Sequence, residues 1–101
     1  MMEDRPDRQR LDKWLWHARM ARTRTAAAAL VEAGHVRING QRVTQAAKAI
    51  RVGDILTIAL SRDVRLLRIL GMSDRRGPYA EARFLYEDVA PGAGAAESRD
   101  S

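Results

Sequence analysis

His17 and His35 are the residues best suited to acid–base or metal chemistry, because imidazole titrates near neutral pH and ligates transition metals. They stand 18 residues apart in a chain without cysteine, and no paired carboxylate lies near either. Catalysis and metal binding are therefore not expected. The glycine-containing turns match neither Gly-x-Gly-x-x-Gly nor the Walker pattern, so no nucleotide cofactor is implied. What the chain does supply is a cluster of cations: Lys13, Arg19, Arg22 and Arg24, with the hydroxyls of Thr23 and Thr25 among them. Guanidinium, ammonium and hydroxyl donors on a preformed face are the groups that hold phosphates and 2′-hydroxyls of structured RNA.

Charge over the whole chain points the same way. The 101 residues carry 18 Lys+Arg against 13 Asp+Glu, a formal net charge of +5. Nine bases (Arg10, Lys13, Arg19, Arg22, Arg24, Arg37, Arg42, Lys48 and Arg51) and two acids (Asp12 and Glu32) fall between residues 10 and 51, whereas the chain from Ser61 onward is balanced. The excess belongs to one segment and implies a polyanionic partner. One domain with one modest core is what this length allows. The absence of cysteine fits a reducing compartment, residues 1–10 show no apolar signal-peptide core, and the longest apolar run, Ala26 to Val31, is far too short to span a bilayer. A cytoplasmic protein with no membrane contact is expected.

The elements that must position these cations follow from periodicity. Leu11, Trp14, Leu15 and Ala18 recur at i, i+3, i+4, i+7, the stripe of a short amphipathic helix starting at Arg10 or Leu11. At about 100° per residue, Lys13 and His17 fall opposite the stripe and Trp16 lies off it. A second helix is predicted from an N-cap at Thr23 to Gly34, its alanines allowing close packing on the first. Alternation then replaces helical period: Val36 and Ile38 on one side, Arg37 on the other, and Asn39-Gly40 as a type I′ turn before Gln41–Val43. Further strands are expected around Ile50–Val52, Ile55–Leu60 and Val64–Leu70. After Gly77-Pro78, a last helix would place Ala82, Leu85, Tyr86 and Val89 on one face, and Pro91 would end it. The expected class is α+β, with two packed N-terminal helices, a small sheet of short strands and a C-terminal helix. Boundaries are expected at 1–9 (loose arm), 10–72 (domain), 73–90 (helical segment packed on it) and 91–101 (disordered tail).

Each candidate has a second role to weigh. Arg10 can pair with Asp12 or Glu32 instead of RNA. Trp16 can stack on an unpaired base, worth about 1–3 kcal/mol, or pack beside Tyr79 or Phe84, the preferred alternative. His35 either touches RNA or caps the carbonyls ending the second helix. Asn39 reads as mainly structural, supplying the turn conformation, and Arg37 projects from the hairpin. Lys48 and Arg51 would extend the basic edge.

The stretches RLDKWLW (10–16), ARMARTRTAAAALVEAGHVRINGQRV (18–43) and VGD followed by an apolar strand resemble the S-four RNA-binding domain, or alpha-L motif, over roughly residues 10–60. KWLW and RRGPYAEARFLYED (75–88) are more specifically similar to the small ribosome-associated heat-shock proteins of about fifteen kilodaltons. The resemblance implies a non-enzymatic RNA binder directed at ribosomal RNA of the large subunit, on subunits left with peptidyl-tRNA and a nascent chain. Members often continue into a longer basic C-terminal extension, which the tail after Pro91 does not resemble. The RNA-binding set expected from residues and resemblance together is Arg10, Lys13, Trp16, Arg19, Arg22, Thr23, Arg24, Thr25, His35, Arg37, Lys48 and Arg51. No cofactor, metal or small-molecule substrate is expected, and the chain is expected to act as a monomer. A general binder of tRNA, DNA or another structured nucleic acid is the alternative; a protein adaptor and a small nuclease are remoter ones.

Overall fold

The stripe read from the sequence becomes the centre of the core: Leu11, Trp14, Leu15 and Ala18 are fully buried. The computed structural model describes residues 7–61 and 63–89. Helix α1 runs Leu11–His17 and α2 runs Arg24–Glu32. They meet through Ala27 and Val31, both fully buried, because small side chains on α2 let the backbones approach. Truncating Leu15 to alanine would cost about 2–5 kcal/mol through lost burial and the cavity left behind.

Local chemistry sets the ends of α2. The Thr23 hydroxyl accepts a hydrogen bond from the Ala26 amide at 2.9 Å, the N-cap contact. At the other end Gly34 has φ +85°, its amide donates to Val31 O and the His35 amide to Leu30 O. That pair of bonds is the Schellman arrangement, and the left-handed residue it needs costs least as glycine.

Among the described residues, seven strands follow or flank the helices: β1 Arg8–Arg10, β2 Val36–Ile38, β3 Gln41–Val43, β4 Ala49–Arg51, β5 Ile55–Ala59, β6 Val64–Ile69 and β7 Tyr86–Asp88. Antiparallel pairing gives a five-stranded sheet in the order β3-β2-β5-β6-β7 and a two-stranded one of β1 and β4. Leu56 and Ile58 of β5 alternate inward and lie opposite Ile38 and Val36 on β2, so one face of the sheet closes over the helices. The α+β class and the order of helices and hairpin are as the sequence indicates.

Two expectations need correction. Residues 8 and 9 of the expected arm belong to the strand Arg8–Arg10, with Gln9 buried and its Nε2 donating to Ser73 O at 2.8 Å; residues 1–6 of that arm and the tail from Pro91 lie outside the described residues. The C-terminal segment is also not one helix. Helix α3 covers only Tyr79–Ala82, a 3-10 turn takes Arg83–Leu85, and the chain then extends as β7. Strand pairing wins there because Arg68 faces Glu87 directly across β6–β7, and Arg65 bonds Asp88 at 2.8 Å. The hydrogen bond to Asp88 raises the Arg65 pKa further, outweighing the effect of burial. Ala82, Leu85 and Tyr86 are buried nonetheless.

Candidate nucleic-acid interface

Asp12 organises the cationic cluster. Its carboxylate, 5% exposed, accepts from Arg10 Nε at 3.1 Å and Nη2 at 2.9 Å and from the Lys13 amide at 2.7 Å. Arg24 Nε stands 3.8 Å from the same carboxylate. One buried acid thus gathers Arg10 from the end of β1 and Arg24 from the first turn of α2, leaving both side chains about two-fifths exposed. An open cleft of about 510 Å³ runs beside them between Asp12, Arg24, Thr25, Ala28 and Glu32.

The start of α2 is unusual for a helix that need only be stable. Its first turn contains no acidic residue and does contain Arg24, whereas the free amides there favour negative charge. A cation at that end costs about 0.3–1 kcal/mol, which the pair with Asp12 offsets in part. Thr23 and Thr25 are exposed beside it, as is Arg22. A phosphate fits that environment on charge and on available donors.

The other expected residues divide. The segment just before β4 meets the start of α1 through Leu11 N→Lys48 O (2.9 Å) and Asp12 N→Ala46 O (3.0 Å), which brings Lys48 close to Arg10. Arg51 and Lys48 are exposed. Arg37 is exposed on the hairpin, with only a 3.5 Å approach to Gly40 O. His35 is exposed and its backbone, not its ring, caps α2. Arg19 adopts φ +63° and donates Nε to Gly77 O at 2.9 Å, so part of its guanidinium has a structural task. Trp16 is half-buried with His17 and Arg76 as ring neighbours, not Tyr79 or Phe84, which are 60% and 80% exposed. Asn39 is structural as read: φ +50°, its Oδ1 accepting from Ile55 N at 2.9 Å and its Nδ2 donating to Asp54 at 3.1 Å. His17 is not on an open face. It is buried at 1%, because the segment 73–85 covers the side of α1 opposite the stripe.

Sequence reasoning missed two arginines. In the β2–β3 register Arg37 lies directly opposite Arg42, and in β1–β4 Arg8 lies directly opposite Arg51. Like charges in facing positions destabilise a sheet, so neither pair adds to the stability of its strands. The two-residue Asn39-Gly40 turn fixes the first register and could have disclosed it; the second required knowing that residues 8–10 pair at all. Arg42 and Lys48 also line a groove of about 550 Å³ floored by Ile38 and Val43. Among the described residues no three His, Asp or Glu side chains are grouped to hold a metal ion, and no helix is long and apolar enough to cross a membrane.

Residues 9–56 match the S4 domain family. Heat shock protein 15 of Escherichia coli (strain K12) is 40% identical over 81 residues, 80% of this chain and 60% of that protein. A solved trimeric structure of Vibrio cholerae heat shock protein 15 is 36% identical, covers 92% of this chain and 93% of that one, and gives a TM-score of 0.79. The chain belongs to the heat shock protein 15 family. It spans about 60% of the length of the curated heat shock protein 15 from Escherichia coli. A more distant likeness, 36% over 62 residues, is to small ribosomal subunit protein uS4 of Fusobacterium nucleatum. In heat shock protein 15 terms, the S4 match runs from Gln9 in β1 to Leu56 in β5 and so takes in Asp12, both helices and the hairpin. Membership of this family supports RNA binding.

Proposed function

We propose that the chain is a non-catalytic RNA-binding protein whose target is ribosomal RNA of the large subunit, on subunits stalled with peptidyl-tRNA and a nascent chain. The observation that carries RNA binding is the gathering of Arg10 and Arg24 around buried Asp12 at a helix start devoid of acids. The large subunit as target rests on the family, since the electrostatics of the face suit any structured polyanion. Lys13, Arg22, Thr23 and Thr25 extend the face, while Lys48, Arg51 and Arg37 with Arg42 continue it along the strands. His35 and Trp16 lie at its margins. A ribosomal target places the protein in the cytoplasm.

Co-sedimentation tests this. Purified protein incubated with separated bacterial subunits is expected to pellet with large subunits, more with those carrying peptidyl-tRNA, and to be released by salt. Equal binding to free tRNA would favour the general nucleic-acid reading, and retention after nuclease treatment would favour a protein partner. The expected monomer contrasts with the Vibrio cholerae relative, which is described as trimeric; sedimentation equilibrium distinguishes the two states.

A further inference from the structure

The connection between α1 and α2, residues 18–23, carries Arg19 and Arg22 to the candidate face yet has no regular secondary structure. Its own amides supply three bonds, all back onto α1: Ala18 N→Trp14 O (2.8 Å), Arg19 N→Trp16 O (3.1 Å) and Met20 N→Leu15 O (2.9 Å). Arg19 also holds a left-handed φ of +63°, which a non-glycine residue adopts at a cost. Such a segment needs an external hold if Arg22 is to meet RNA in one position.

That hold comes from the far end of the chain. Arg76 donates Nε to Trp16 O at 3.1 Å and Nη2 to Ala21 O at 3.4 Å, and its guanidinium carbon stands 5.9 Å from the Trp16 ring centroid. The next residue closes the clamp from the other side, as Gly77 O accepts Arg19 Nε at 2.9 Å. The segment bearing the clamp is itself pinned to the core: buried Trp14 donates Nε1 to Gly71 O at 2.9 Å, and buried Gln9 donates Nε2 to Ser73 O at 2.8 Å. Ala21 immediately precedes Arg22, so the position of its carbonyl fixes where Arg22 leaves the surface and how the chain enters the cap at Thr23.

We propose that Arg76 is a positioning residue for RNA binding, clamping the α1–α2 connection so that Arg19 and Arg22 are preorganised. The inference rests on the RNA-binding reading above. An arginine is required because its planar fork reaches two carbonyls 5 residues apart in the chain, Trp16 and Ala21, while its charge lies over the indole at 5.9 Å from the centroid; a lysine carries the charge without the fork. Preorganisation lowers the ordering cost paid on binding, and its loss weakens affinity without removing a contact to RNA.

The test compares full-length wild type, Arg76→Ala, Arg76→Lys and Arg24→Gln for binding to deproteinised bacterial large-subunit ribosomal RNA across a salt series, below each variant's melting transition. Arg76→Ala and Arg76→Lys should both bind about tenfold more weakly, the scale of one charge-assisted hydrogen bond. Their salt slopes should stay at the wild-type value, Trp16 fluorescence should change, and amide exchange at Met20, Ala21 and Arg22 should accelerate. Full rescue by lysine, or a slope reduced by about 0.7–0.9 in the alanine variant, would mean that Arg76 contacts phosphate directly and would overturn the positioning role. Unchanged affinity in both Arg76 variants alongside weakened binding by Arg24→Gln would refute the clamp and leave the RNA-binding reading standing. Failure of the wild type to bind would remove the reading and the clamp together.

Discussion

Arg24→Gln separates the stability of α2 from its use. In the folded protein Arg24 loses stability by standing in the first turn, about 0.3–1 kcal/mol against the helix dipole. It regains a similar amount, about 0.2–1 kcal/mol, from a half-exposed pair with Asp12 at 3.8 Å. The two nearly cancel, so glutamine should leave the melting temperature within about 3 °C, given roughly 4–8 °C per kcal/mol for a domain of this size. RNA binding has no such cancellation. Each phosphate contact contributes about 0.7–0.9 log units per decade of salt, so one lost contact at about 0.1 M salt lowers affinity roughly sixfold, near 1 kcal/mol. The assay is fluorescence anisotropy with large-subunit ribosomal RNA from about 0.05 to 0.5 M KCl, where the slope of log K against log salt should flatten by about 0.8. A fall in melting temperature beyond about 8 °C would make Arg24 a structural residue. An unchanged slope would mean that it meets no phosphate, and the reasoning about the α2 start would fail.

Arg42→Gln should raise stability by about 0.2–1 kcal/mol in denaturant titration by relieving its opposition to Arg37, while flattening the salt slope; a loss of stability would show that the facing pair is not a liability. Asn39→Ala should cost about 2 kcal/mol, through two hydrogen bonds and a left-handed backbone, with RNA affinity changed less than twofold; a larger affinity loss would make Asn39 a contact residue. Asp12→Asn raises the net charge of the face by one, yet should weaken RNA binding and lower stability by about 1–2 kcal/mol, because Arg10 and Arg24 lose their shared anchor; tighter binding would show that charge count, not placement, governs the site.

Whether a feature was legible in the sequence depended on how far away its cause lay. Leu11, Trp14, Leu15 and Ala18 declare a buried stripe because helical period is a local property, and Thr23, Gly34 and Asn39-Gly40 declare ends and turns because capping acts within four residues. The short connection is the only ground the sequence offers for grouping Lys13, Arg19, Arg22 and Arg24, and that grouping is part of the RNA-binding proposal. The burial of His17 could not be read locally, since it is produced by a segment more than fifty residues later that closes over the second side of α1. The strand at Arg8–Arg10 was hidden for the same reason: Arg-Gln-Arg carries no apolar alternation, and its partner is Ala49–Arg51. Tyr86–Asp88 had a readable clue, since acids at 87 and 88 answer arginines at 65 and 68, but helical spacing of Ala82, Leu85 and Tyr86 fits the same residues.

The opposed arginines bear on why the face is built across two small sheets as well as two helices. A cation on a flexible loop loses side-chain and backbone freedom when it meets a phosphate, whereas one on a paired strand has its backbone fixed before binding. Placing Arg37 against Arg42 and Arg8 against Arg51 raises the energy of the unbound protein by setting like charges face to face. Under the RNA-binding proposal, a phosphate entering between two such guanidiniums would remove that repulsion while gaining two charge-assisted contacts. Under the same proposal, the bound state would benefit twice from an arrangement that the free protein tolerates, and Asp12 restrains Arg10 and Arg24 between the helices while its own carboxylate stays buried.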